Sequence, residues 1–187
     1  MTRPACHPAL LRLLLAAVLA ASGAAHAQDA THSGDAWVDG RMADIGTYAT
    51  TYRDAFVDEL VRYHRAPREL VVELLARPGW TPGDAYLACS LAMQAGRPCR
   101  DIVALREREP SRDWAAIADE LGLAPGTPGY LALKRGIVAA YDRWARPVAV
   151  DAELAPLFPN RPRTAPATTR TSRPAPSRPV KPPAEGH

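Results

Sequence analysis

From Ile45 the large apolar side chains recur at Tyr48, Tyr52, Phe56, Leu60 and Tyr63. The steps are three or four residues, the period of a helix that buries one stripe. Its other face carries Arg53, Asp54, Asp58, Glu59 and Arg62. The later helices announce themselves by proline in the first turn and glycine after the last. "RAPRELVVELLARPGW" starts one at Pro67 and ends it at Pro78-Gly79. "WTPGDAYLACSLAMQAG" offers Thr81 as N-cap, Pro82 just inside and Gly96 as the stop. "RPCRDIVALRERE" repeats the device with Pro98. "SRDWAAIADELG" has Ser111 as candidate cap and Gly122 as stop, and Thr127-Pro128 opens a last helix. No stretch alternates apolar and polar long enough to demand a strand. The pattern predicts an all-α fold, a compact bundle of about six short helices over residues 42–146. Residues 28–41 read as a flexible leader, with Trp37 and Val38 as candidates to dock on the core.

The two ends follow different rules. Leu10 to Ala21 is apolar, preceded by Arg3 and interrupted by Arg12, and is followed by Ala25-His26-Ala27. That is the layout of a signal peptide over residues 1–27, with a hydrophobic segment too short to span a bilayer. No cysteine stands directly after the apolar run to accept a lipid, and no later stretch is apolar for 18 residues. The expectation is therefore a periplasmic or secreted chain with no transmembrane segment after cleavage before Gln28. At the other end, "RPRTAPATTRTSRPAPSRPVKPPAEGH" has almost no large apolar residue. It cannot bury enough surface to offset its ordering entropy. Residues 147–187 read as a transition followed by a disordered, basic, Pro-rich tail from about residue 156, with polyproline II character.

Charge sharpens this division. Residues 28–150 carry 15 Lys/Arg against 17 Asp/Glu, a net of −2, while residues 151–187 carry 6 against 3, a net of +3. The expected helical region is thus slightly acidic, a poor footprint for a nucleic-acid binder. Cys6 lies within the signal, which leaves Cys89 and Cys99. An exported protein with two cysteines ordinarily pairs them, and closing a ten-residue loop stabilises by about 3 kcal/mol on the chain-entropy model. The rival is a reactive thiol at Cys99, in the first turn of a helix.

"WAAIADELGLAPGTPGYLALKRG", residues 114–136, imitates a DNA-binding helix-turn-helix. Gly122 stands at the turn, Ala118 at the small position, and Ile117, Leu121 and Leu123 at core positions. The second helix fails the match, because Pro128 would fall in its middle, where proline removes a hydrogen bond and clashes with the preceding turn. His32, His64 and His187 are far apart and form no H-x-x-x-H pattern, so no metal site is expected. His64 suits the end of the first helix. Asp58/Glu59 and Asp119/Glu120 are adjacent in sequence and read as solvated faces. No catalytic residue and no cofactor is assigned. The candidate binding groove is aromatic. Trp80, Trp114 and Tyr130 stand at helix starts, with Arg97, Lys134 and Arg135 as a basic rim. The competing reading is that these rings plug the core.

Two segments carry a family resemblance. Gly96-Arg97-Pro98 after Ala92 and Ala95 is one. The other is Trp114, Ile117-Ala118, Leu121-Gly122-Leu123, then Pro125-Gly126-Thr127-Pro128 with Tyr130. Together they resemble an uncharacterised family of exported bacterial helical proteins with a W-x-x-[IV]-A-x-x-L-G-x-x-P-G-[ST]-P segment. Asp113 and Ala115 replace two glycines of that pattern, and Thr127 replaces a serine. The resemblance implies a compact helical domain of the cell envelope and no activity. The sequence thus points to a periplasmic interaction module. Its partner would be an envelope protein or a cell-wall polymer rather than nucleic acid, and its basic tail would meet anionic envelope components. An envelope enzyme or enzyme inhibitor is the alternative.

Overall fold

The computed structural model describes residues 32–164. The expected signal peptide and the tail beyond Thr164 lie outside them. Seven helices form among the described residues and no strand does, so the fold is all-α. These residues divide into two compact units, one running through Leu133 and one from Lys134 onward.

Helix α1 (Ala36–Thr51) begins earlier than its hydrophobic pattern suggests. The Asp35 carboxylate accepts from the Trp37 and Val38 amides at 2.8 and 3.1 Å. In return Asp39 accepts from the Ser33 amide and hydroxyl at 2.8 and 2.6 Å. These bonds satisfy donors that a helix start leaves orphaned. Residues 36–41 therefore belong to a capped helix and not to a flexible leader. Trp37, Val38, Met42, Ile45 and Ala49 form its buried stripe.

The single helix expected over residues 45–63 is two. The chain breaks at Tyr52 (φ −122°, ψ 53°) before α2 (Arg53–Tyr63) starts. Two side chains just upstream turn onto the backbone. The Thr47 and Thr50 hydroxyls donate to the carbonyls of Ala43 (3.2 Å) and Thr47 (2.7 Å), a back-bonding that bends and weakens helices. The break resets the phase. Ile45, Phe56 and Leu60 are buried, but Tyr52 and Tyr63 are exposed.

Helix α3 (Arg68–Leu74) starts after Pro67 as expected. Helix α4 (Pro82–Ala95) is the centre of the first unit and packs against α1, α3 and α5. Residues 85–92 are buried without interruption, which marks a helix covered on all sides. Gly83 lets it approach α1 closely: a Cβ there would lie 2.6 Å from the Met42 carbonyl oxygen. Thr81 and Asp84 form a reciprocal capping box at its start. Gly96, at φ 65°, ends it, with the Arg97 amide donating back to the Ala92 carbonyl at 2.9 Å. Helix α5 (Cys99–Arg108) follows, bound to α4 by the Cys89–Cys99 disulfide with Cα atoms 4.6 Å apart.

Helix α6 (Trp114–Glu120) is capped by Asp113, whose side chain accepts from the Ala116 amide at 2.8 Å; Ser111 is not the cap. It stops at Gly122 (φ 69°), and the Leu123 amide donates to the Ala118 carbonyl at 2.8 Å. Helix α7 (Pro128–Arg143) starts afresh, with the Thr127 hydroxyl accepting from the Tyr130 amide at 3.2 Å. The apparent helix-turn-helix is thus two separately capped helices with a loop between them.

The second unit holds the rest of α7 and a wrapped segment. Val148, Val150, Leu154 and Ala155 are buried, as are Ile137, Val138, Ala140 and Tyr141 on the helix. The Val150 amide donates to the Pro162 carbonyl and the Thr164 amide to the Val150 carbonyl, both at 2.8 Å. Arg161 pairs with Asp142 and lies over the Phe158 ring. Residues 156–164 are therefore tied down, against the expectation that they belong to a disordered tail; residues 165–187 lie outside the described set.

Candidate functional site

A cleft of about 350 Å³ in the first unit surrounds Trp80 and Trp114. The turn Pro78-Gly79 (φ 82° at the glycine) places Trp80, and its amide donates to the Arg77 carbonyl at 3.2 Å. Trp114 opens α6 and is almost wholly buried. Its Nε1–H donates to Asp84 Oδ1 at 2.7 Å. The other Asp84 oxygen accepts from the Thr81 hydroxyl at 2.6 Å and amide at 3.1 Å. One carboxylate thus caps α4 and fixes an indole from another helix.

The two indoles meet edge to face with centroids 6.1 Å apart, an arrangement aromatic quadrupoles favour. The Arg106 guanidinium lies over the Trp114 ring at 5.7 Å. It also donates to the carbonyls of Glu109 (3.4 Å), Pro110 and Arg112 (2.9 Å), which holds the loop between α5 and α6. The outer wall is polar. Arg77 pairs with Glu107 and, at 2.6 Å, with Glu73. The Glu73 hydrogen bond is the main reason the Arg77 pKa is raised, against a smaller desolvation effect, so the guanidinium stays charged. The cleft offers a half-buried indole, flat charged groups beside it and the edges of Pro78 and Pro110.

The sequence brought together six groove residues, and the structure separates them. Trp80 and Trp114 share the cleft. Tyr130 is in the core, 1% exposed, with its hydroxyl 3.4 Å from the Ser33 carbonyl. Arg97 lines a different cleft, beside His64 and Cys99. Lys134 is no rim residue: it is 1% exposed and holds Asp151 and, at 2.7 Å, Glu153. Arg135 is exposed on α7. Glu59 also departs from its expected solvated face and is buried, while Asp119 and Glu120 are exposed. Asp84, Arg77, Arg106 and Glu107 complete the cleft without having been singled out. Of these only Asp84 carried a signal, standing three residues after Thr81 ahead of an apolar run.

Fold and cleft together define an all-α, disulfide-stapled protein with an aromatic surface cleft. No family model, curated protein or solved structure matches the chain. Among the described residues no helix is long and apolar enough to cross a membrane.

Proposed function

We propose that the protein is an exported interaction module of the cell envelope whose Trp80/Trp114 cleft binds a saccharide unit of an envelope polymer. The observation that carries this is the half-buried Trp80 set at a T-shaped angle to a fixed Trp114, with the planar Arg77 and Glu107 side chains alongside. A sugar ring presents C–H groups on its faces and hydroxyls around its rim. An indole takes the face, and flat, ionised side chains exchange paired hydrogen bonds with the rim. The network around Asp84 and Arg106 holds the platform before a ligand arrives, which lowers the ordering cost of binding. Export rests on the N-terminal sequence, and the basic Pro-rich tail would add attraction to anionic envelope components.

The test is a titration of the intact chain with soluble cell-wall glycan fragments, read by tryptophan fluorescence. Saturable quenching is expected, with affinity lost in Trp80→Ala and unchanged in Arg135→Gln. Absence of saturation sinks the glycan reading. Capture of a single envelope protein through Trp80 by crosslinking would replace it with a protein partner.

A further inference from the structure

A second cleft of the first unit, about 340 Å³, is lined by His64, Arg65, Ala92, Met93, Gly96, Arg97, Pro98 and Cys99. Three of these carry basic nitrogen and none carries a carboxylate. Neither of the two arginines is held by a close carboxylate, a state they share among the described residues with Arg53, Arg100, Arg108 and Arg135 and not with the paired arginines. Arg62, Arg68, Arg77, Arg112 and Arg161 each have a carboxylate oxygen within 3.5 Å. Arg65 has no carboxylate partner among the described residues, and Arg97 has only Asp101 at 3.9 Å, with both side chains well exposed. Such a contact holds a guanidinium weakly.

Both arginines are placed by backbone. Arg65 sits at φ 54°, the left-handed region in which a helix end ordinarily uses glycine. The Ala66 amide folds back on the Leu60 carbonyl at 3.1 Å to hold it there. Arg97 is fixed by the hydrogen bond its backbone amide donates to the Ala92 carbonyl, and the Cys89–Cys99 disulfide fixes the wall beside it. We propose that this cleft is an oxyanion site, in which Arg65 and Arg97 grip a phosphate group and His64 lines its third side. Guanidinium forks match phosphate oxygens bidentately. The phosphate is either free or carried on a lipid headgroup.

The test follows backbone amides of the intact chain by NMR as inorganic phosphate is added. Saturable shifts are expected at Arg65, Ala66 and Gly96–Asp101, and both Arg65→Gly and Arg97→Gln should weaken them about tenfold, as loss of a charge-assisted bond does. Glycine accepts the left-handed backbone, so Arg65→Gly should melt no lower than the parent while losing phosphate. Arg135→Gln should change neither. Absence of saturation at these amides, or equal shifts in the Arg65→Gly variant, overturns the proposal. Sedimentation with phosphatidylglycerol against phosphatidylcholine vesicles separates the sources. Anionic-vesicle binding that falls in the Arg65→Gly/Arg97→Gln variant marks the lipid headgroup. Vesicle binding unchanged by it, alongside the amide shifts, marks free phosphate.

Discussion

Asp58 is held by Arg68, with Arg62 3.5 Å away. The hydrogen bond from Arg68 is the largest effect on its pKa, which lies below the ordinary 3.8 despite some opposing desolvation. A carboxylate with a depressed folded pKa adds stability that is fully present above its unfolded value. The contribution disappears as pH falls through the folded value. Melting temperatures of the parent and Asp58→Asn should therefore differ slightly near neutral pH and converge at the acid end; a gap independent of pH contradicts this assignment. Position 58 was legible, since its i,i+4 spacing to Arg62 is local. Its stronger partner was not, because Arg68 comes from the next helix. Glu59 and Lys134 show the same limit. A charged residue is read as exposed unless the sequence announces its partner, and the partners of Lys134, Asp151 and Glu153, lie in a segment that reads as a transition.

Among the elements, α4 was the most legible, because its signals are its own: Thr81, Pro82 and Gly96 occupy the positions expected of them. The α1–α2 pair was the least legible. Its apolar steps continue through Tyr52, where the backbone leaves the helix just after two threonine hydroxyls turn onto it. Close approach of α4 to α1 gives a sharp test. Gly83→Ala places a methyl against a backbone carbonyl that has little room to yield and should cost about 1–3 kcal/mol in urea denaturation. Gly40→Ala, in a helix with nothing within 4 Å, should stabilise by about 0.5–1 kcal/mol. Equal effects would refute the packing account. The disulfide spans a sequence separation of 10, and replacing both cysteines by serine should lower stability by about 3 kcal/mol in the same assay. The sequence favoured pairing of these cysteines from their number and the expected compartment alone.

At the scale of the molecule, helix content was legible and the reach of the folded segments at either end was less so. The leader is shorter than its polar composition implies, since Asp35 caps a helix that already buries Trp37 and Val38. Past residue 156, where a tail was expected, the chain is still held, since Val150 exchanges backbone bonds with Pro162 and Thr164. Two truncations separate these limits. A chain ending at Thr164 should keep the parent melting temperature. One ending at Ala155 loses Phe158, the Arg161–Asp142 pair and both Val150 bonds, and should melt several degrees lower by circular dichroism. Identical melts for the two would show that residues 156–164 add nothing. The groove was half legible for a similar reason. Residue type flagged Trp80 and Trp114, but what gathers them is Asp84, a helix cap whose second oxygen reaches across to another helix.

That shared carboxylate also makes the cleft readable from a distance. The residues of α4 between Ala85 and Ala92 are buried, so their amides should exchange with deuterium only when the surrounding unit opens. The Asp84 amide is different, donating to the Thr81 hydroxyl that in turn donates to the carboxylate holding Trp114. A guest that presses on the indole would loosen or tighten this loop of bonds. Its arrival would register as a changed rate of isotope uptake at one amide, in a helix the guest never touches along its buried length.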